Sequence, residues 1–284
     1  MQEISDPDLR LLIKRVKDHT GIDLGQYKDS YITRRLSTRM KFFNVSKYQE
    51  YLSILDTAPN EYEKVVDAFT INVSEFFRDI EVYNVISKQV IPDIVEKKKR
   101  SGRRNLHVWS AGCACGEEVY SISMVLHEVL GRDYNNLLIK LYATDIDEAC
   151  MVKARQGIYN PSSLKNVDRT YMNKYTTTMP DGKISVKDEV KSNVAFRAFD
   201  LIKGGKLGTF FDLILCRNVM IYFSDEQKAK LLMEFYNSLL PGGYLIIGRT
   251  ETLVGESKTA FKPVNSMERV YMRPEITLTD EKHL

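Results

Sequence analysis

The chain has 284 residues, with 41 Lys and Arg against 38 Asp and Glu, a formal net charge of +3 and 43% hydrophobic residues. This is an ordinary globular composition, long enough for one large domain or two unequal ones; it excludes a largely disordered chain, and the net charge is by itself too small to imply nucleic acid, although basic residues cluster at Arg34–Lys41 and Lys97–Arg104. No apolar run approaches the roughly 18 residues of a membrane span, and the opening MQEISDPDL lacks the basic-then-apolar layout of a signal peptide, so a cytoplasmic protein with no membrane insertion is expected; separately, a monomer is expected. Cys113, Cys115, Cys150 and Cys216 are too few and too scattered for a disulfide framework, and the C-A-C spacing does not suit zinc; small buried thiols and no metal are expected.

Residues 6–70 carry helical signals only. Asp6-Pro7 forms a cap and first turn, Leu9, Leu12, Ile13 and Val16 recur at helical spacing, and Gly21 closes the segment. Ile32, Leu36, Met40 and Phe43 line a second helix, and Tyr48, Tyr51, Leu52 and Leu55 a third after Ser46. A fourth starts at Asn60, with Glu63 at the capping-box position before Val65, Val66 and Phe69. A small helical bundle is predicted over residues 1–71. On its second helix Lys28, Arg35 and Arg39 share a stripe at about 100° per residue, whereas Arg34 and Lys41 point roughly the other way. The stripe is either a solvated surface or a docking surface for an acidic partner.

From about residue 106, strands alternate with helices, the pattern of a mainly parallel sheet. Leu106–Ala111, Leu138–Thr144, Phe211–Cys216 and Tyr244–Gly248 are predicted strands; Glu117–Leu130, a segment from Glu148 and Asp225–Leu240 are helices; Pro241-Gly242-Gly243 is a turn. Phe261–Val264 and Arg269–Met272 form an antiparallel pair at the edge. Residues 157–191 interrupt the alternation with many Tyr, Thr, Asn and Lys residues and the turn Pro180-Asp181-Gly182, and are read as a small β-rich insertion.

The loop after the first of these strands reads S-A-G-C-A-C-G-E-E over Ser110–Glu118. Glycines there let a ligand approach the backbone near the positive end of the following helix. Glu117 and Glu118 would repel a pyrophosphate but suit a cationic ligand, which argues against a nicotinamide dehydrogenase. Asp145, at the end of the second strand, stands where α/β folds bind ribose hydroxyls. Ribose with a cationic group and no phosphate describes S-adenosylmethionine.

The segment Asn72-Val73-Ser74-Glu75-Phe76-Phe77-Arg78-Asp79, the glycine loop, the strand end A-T-D-I-D and Cys216-Arg217-Asn218-Val219-Met220-Ile221-Tyr222-Phe223 together resemble the CheR family of chemotaxis receptor methyltransferases, in the family's order and over nearly the whole chain. The resemblance implies a Rossmann-like S-adenosylmethionine-dependent α/β domain over residues 72–284, preceded by the small all-α domain. It implies cofactor contacts from Asn72, Ser74 and Arg78, from Glu117 or Glu118 to the methionine amino group, and from Asp145, Arg217 and Asn218. It also places Tyr222 near the transferred methyl. Where the family usually has Asn-Leu beside the adenine this chain has Asp200-Leu201, a departure that touches the side-chain contact. The implied reaction is methyl esterification of glutamates on cytoplasmic helices of chemoreceptors at membrane-bound arrays, with Arg78 and Tyr222 at the reacting groups and the Lys28, Arg35, Arg39 stripe facing the receptor. The short turn Thr178–Lys183 replaces a longer loop by which some members bind a receptor tail, so no strong tail tether is expected.

Two rival readings follow from the same residues. A nucleic-acid methyltransferase would share fold and cofactor, but the chain has R-N-V-M-I-Y where amino-methylating enzymes usually carry an N-P-P-Y-like turn. A receptor-docking scaffold would bind the cofactor without transfer, against which stand the intact Arg78 and Tyr222.

Overall fold

The computed structural model describes residues 6–69, 74–205 and 207–275. Its first helix, α1 (Pro7–Thr20), begins where the Asp6 carboxylate accepts the free N–H groups of Asp8 and Leu9 at 2.9 and 3.2 Å. It is followed by α2 (Asp29–Phe42), α3 (Tyr48–Thr57) and α4 (Glu61–Phe69). Their apolar faces meet in a core of their own that includes Leu12, Val16, Ile32, Leu36, Leu55 and Val65. Glu61 is also buried there. A carboxylate withdrawn from water needs compensation, and Arg39 supplies it with two hydrogen bonds of 2.8 and 2.6 Å while the Tyr51 hydroxyl donates a third at 2.5 Å.

Next come α5 (Ile80–Val85), a π-helical turn at Ile86–Val90 and α6 (Ile91–Ser101). Buried Val82, Tyr83, Ile86, Val90, Ile91 and Ile94 belong to the main core. The π turn breaks the 3.6-residue period, which hides this rod from a search for amphipathic spacing.

The α/β part runs β1 (Asn105–Ala111), α7 (Glu117–Leu130), β2 (Leu138–Asp145) and α8 (Glu148–Gln156), then β3 (Ile158–Tyr159), α9 (Arg169–Tyr175), β4 (Thr176–Thr178), β5 (Ile184–Val186) and α10 (Asp188–Lys191). It continues through β6 (Val194–Ala198), β7 (Phe211–Cys216), α11 (Asp225–Ser238), β8 (Leu239–Ile247), α12 (Ser257–Ala260), β9 (Lys262–Asn265) and β10 (Val270–Met272). Seven strands form one sheet in the order β6-β2-β1-β7-β8-β10-β9, parallel from β6 to β8 and antiparallel beyond. Chain order reverses at β1, whose neighbours are β2 and β7. In an open α/β sheet a ligand crevice forms at the carboxyl ends of the strands around such a point. The segment predicted as a β-rich insertion folds as the small antiparallel sheet β3-β5-β4 with α9 between its strands.

Two expectations are corrected. Leu239 leaves α11 early and pairs with Phe211, so Pro241-Gly242-Gly243 lies within β8, where the β7 register shifts, rather than in a separate turn. Cys113 and Cys216 are buried thiols as expected, but Cys115 and Cys150 are joined by a disulfide that ties the glycine loop to α8. The 35-residue separation gave no hint of this pairing, which the parallel β1–β2 register creates by bringing the two loops side by side.

Far from those loops, Lys98 on α6 reaches Asp212 on β7 at 2.5 Å, with both side chains under 10% exposed. The other oxygen of Asp212 accepts the His107 N–H at 2.9 Å. Removing one member of a buried ion pair leaves an uncompensated charge and costs about 3–5 kcal/mol. Lys98→Ala is therefore expected to lower unfolding stability by that amount in a denaturant titration, with cofactor affinity little changed.

Candidate active site

A cleft of about 970 Å³ opens at the carboxyl ends of β1, β2, β6 and β7. Four loops line it: the glycine loop at Gly112–Ala114, the β2 end at Asp145 and Ile146, Phe199–Ile202 after β6, and Arg217–Phe223 after β7. Ser74, Glu75 and Arg78 close it from the segment before α5, and Tyr27 and Phe69 from the helical bundle.

The glycine loop is folded against β2: the N–H groups of Gly112 and Cys113 both donate to the Thr144 carbonyl, at 2.8 and 2.9 Å. Gly112 has a φ of +77°, and a Cβ there would lie 2.4 Å from Val219 Cγ2. Only glycine lets the β1 and β7 loops approach this closely. The Tyr159 hydroxyl, from the small sheet, donates to the Cys115 carbonyl at 2.7 Å and holds the loop from its other side.

The two glutamates that the sequence did not separate occupy different places. Glu118 lines the cleft, accepting from the Ser110 hydroxyl at 2.7 Å and from Arg217 at 3.4 Å. Glu117 is buried beside Ser74 and is not among the cleft residues. Burial pushes the Glu118 carboxyl above its ordinary range, and the Arg217 charge opposes that rise. Burial likewise raises Asp145, against the N–H groups of Asp147 and Ala114 that donate to its two oxygens at 2.9 and 2.8 Å. A cationic ligand would favour the charged form of both.

Arg217 is the hub of the cleft floor. Its guanidinium donates to Asp79 at 2.7 Å, to the Arg78 carbonyl at 2.8 Å and to Glu118, and lies 5.7 Å from the Tyr83 ring. Asp79 and Tyr83 were not singled out from the sequence; an Asp directly after Arg78 was the available signal for the first. Asp200 turns one oxygen to the N–H groups of Ile202 and Lys203, at 2.8 and 3.3 Å, while its Oδ2 is buried with no protein partner. Asn218 Oδ1 is in the same condition. Both residues line the cleft, as does Leu201, whose carbonyl accepts from Gln227 at 3.2 Å. Asn72 lies outside the described residues.

The bundle docks on the β7 loop through backbone: Lys28 N–H donates to the Tyr222 carbonyl at 3.0 Å, Ser224 N–H to the Gln26 carbonyl at 2.8 Å, and Tyr27 bridges Phe223. The Tyr222 ring, at the cleft, packs 4.7 Å from the Tyr31 ring. The basic stripe is modified accordingly. Lys28 is exposed and Arg35 sits 5.3 Å over Tyr31, but Arg39 is turned inward to Glu61. Arg34, expected on the opposite side, also reaches the Tyr31 ring at 5.5 Å, because residues three apart on a helix are surface neighbours and Tyr31 lies between the two arginines.

Family models match along the chain: CheR methyltransferase, all-alpha domain, over residues 7–70, and CheR methyltransferase, SAM binding domain, over residues 72–270. The chain belongs to the CheR methyltransferase family. It is 32% identical over 261 residues to a chemotaxis protein methyltransferase of Borreliella burgdorferi, covering 91% of this chain and 92% of that protein. It is 34% identical over 256 residues to chemotaxis protein methyltransferase 1 of Vibrio cholerae, with 89% and 91% covered, and 32% identical over 254 residues to chemotaxis protein methyltransferase 1 of Pseudomonas aeruginosa, with 88% and 91% covered. It is an S-adenosylmethionine-dependent methyltransferase of the chemotaxis type.

The cleft suits that cofactor. Carboxylates at Glu118 and Asp145 match an ammonium and a pair of hydroxyls, and the orphaned oxygens of Asp200 and Asn218 are acceptors for amino hydrogens. A charge-assisted hydrogen bond contributes about 1.5–3 kcal/mol, so Glu118→Gln is expected to weaken S-adenosylmethionine binding roughly 10- to 150-fold in calorimetry. Glu117→Gln, outside the cleft, is expected to change it little.

Proposed function

We propose that this CheR-family enzyme esterifies glutamate side chains on the cytoplasmic helices of chemoreceptors, acting as a cytoplasmic monomer recruited to receptor arrays. The reading is supported above all by a cleft in which a cation-binding carboxylate, Glu118, and a second arginine, Arg78, face one space next to the exposed N-terminal end of α2. The all-α part over residues 1–71 serves receptor recognition and residues 72–284 the transfer.

S-adenosylmethionine supplies a methyl group on a positively charged sulfur. A glutamate has an ordinary pKa of about 4.3 and is already ionised at neutral pH, so its carboxylate needs no general base; forming the oxygen–methyl bond would break the carbon–sulfur bond and leave neutral S-adenosylhomocysteine. The protein's task is to bind, align and partly desolvate. In this reading Glu118 holds the methionine amino group, Asp145 the ribose hydroxyls, and Asp200, Leu201 and Asn218 the adenine side, with Ser74 and Asn72 completing the cradle. Arg217 orients Glu118. Arg78 draws the incoming carboxylate into line, and Tyr222 presents its ring or hydroxyl to the reacting atoms. Lys28 and Arg35, flanked by Arg34, face the acidic receptor surface.

The experiment is transfer of labelled methyl to a chemoreceptor cytoplasmic fragment, followed by mild base. Release of the label as methanol is the expected outcome, and Arg78→Ala is expected to lower kcat roughly 100-fold at saturating cofactor. Label that survives base, or an Arg78→Ala enzyme of normal rate, would contradict the ester and the orienting role respectively.

A strong receptor-tail tether is not part of this function. The turn between β4 and β5 is closed by Met179 N–H to the Lys183 carbonyl at 2.8 Å and Gly182 N–H to the Met179 carbonyl at 2.9 Å, a tight connection with no added loop. Calorimetry with an isolated receptor tail peptide is expected to show no binding in the micromolar range, and micromolar affinity would refute this.

A further inference from the structure

The stretch that carries Arg217, Asn218 and Tyr222 has only one short 3-10 turn, Met220–Tyr222, to hold it. Asn218 adopts a left-handed conformation, φ 62, a region that asparagine enters more readily than other non-glycine residues. What fixes this turn comes from the neighbouring strand. Glu251, only 4% exposed, follows β8, and its Oε2 accepts the N–H of Gly248 at 2.6 Å and of Asn218 at 3.2 Å. Its Oε1 accepts the N–H of Ile221 at 3.2 Å. A Cβ on Gly248 would lie 2.8 Å from both the Asn218 nitrogen and Glu251 Oε2, so glycine is required where the carboxylate clamps the turn. Among the cleft residues, Glu118, Asp145 and Asp200 are held by hydrogen bonds that do not involve Glu251.

We propose that Glu251 is a positioning residue for methyl transfer: its carboxylate fastens the Asn218–Tyr222 turn to the end of β8 and so sets where Asn218 and Tyr222 stand in the cleft. Loosening the clamp leaves Glu118, Asp145 and Asp200 in place while displacing Tyr222 beside the reacting atoms and one contact, Asn218, on the adenine side. Alignment then suffers more than binding. The proposal takes its acceptor, a receptor glutamate, from the function proposed above.

The test uses the full chain with Glu251→Gln, in which one acceptor becomes an NH2 group facing N–H donors, and Gly248→Ala, which presses on the same contact from the other side. For each, kcat is expected to fall roughly 100-fold, S-adenosylmethionine affinity to change less than about tenfold, and hydrogen exchange to quicken at the Asn218 and Ile221 amides but not along α7. A wild-type kcat in Glu251→Gln overturns the proposal. So does a parallel loss of kcat, affinity and amide protection throughout the molecule in both variants, which would make Glu251 a residue of the fold alone. If wild-type enzyme transfers nothing to the receptor fragment, the assigned acceptor has failed; the exchange and affinity readouts need no acceptor, and unchanged exchange at Asn218 and Ile221 then overturns the role of Glu251.

Discussion

A single buried guanidinium joins the parts of this cleft. Arg217 leaves the end of β7, yet its hydrogen bonds go to Asp79 and the Arg78 carbonyl before α5 and to Glu118 on α7. The side chain is almost wholly withdrawn from water, so its charge is tolerable only beside those carboxylates. The same attraction draws the segment carrying Ser74 and Arg78 over the sheet and turns Glu118 into the cleft. Placing the arginine at the switch point makes one interaction serve both floor and roof.

The helical bundle is attached to the same loop. Three adjacent residues, Gln26, Tyr27 and Lys28, meet Tyr222, Phe223 and Ser224 through backbone hydrogen bonds and a β-bridge. Lys28 then begins α2 as its N-cap residue, while Tyr31, one turn on, lies against the Tyr222 ring. The helix that carries the basic residues and the loop that carries Tyr222 into the cleft are therefore a continuous structural unit. A partner bound along α2 would lie beside the cleft without need of a long-range linkage.

The local parts of this arrangement were legible in the sequence because each rests on a short pattern. Gly112 and the carboxylates that follow it announce a loop for a cationic ligand, Asp145 sits at a strand end, and the apolar spacing in residues 6–70 gives four helices. What was not legible depends on residues meeting across the fold. Arg39 shares the helical face of Lys28 and Arg35, but Glu61, twenty-two positions away, captures it. Cys115 meets Cys150 because parallel pairing of β1 and β2 aligns their exits. Glu251 looks like an ordinary loop acid until β8 is set beside β7. The stretch from Ile80 to Ser101 lacks a clean helical spacing for a different reason: its π turn shifts the apolar face by one residue partway along.

For an ionised acceptor such as the glutamate proposed above, chemistry would place little demand on proton transfer and much on geometry, since displacement at carbon requires three atoms in line. The cleft is built for rigidity. Among the described residues no histidine lines it, whereas its loops are secured by backbone donors and acceptors: Thr144 holds the glycine loop, Asp145 joins Ala114 to Asp147, Asp200 closes its own turn and Glu251 fastens the β7 loop. Acidic side chains make three of these four ties. Each can serve two directions at once because a carboxylate has two oxygens and about four lone-pair sites, leaving Asp145 and Asp200 with acceptor capacity turned toward a ligand after their structural bonds are made. The same groups that stiffen the cleft therefore give it the negative character that a sulfonium and an ammonium require.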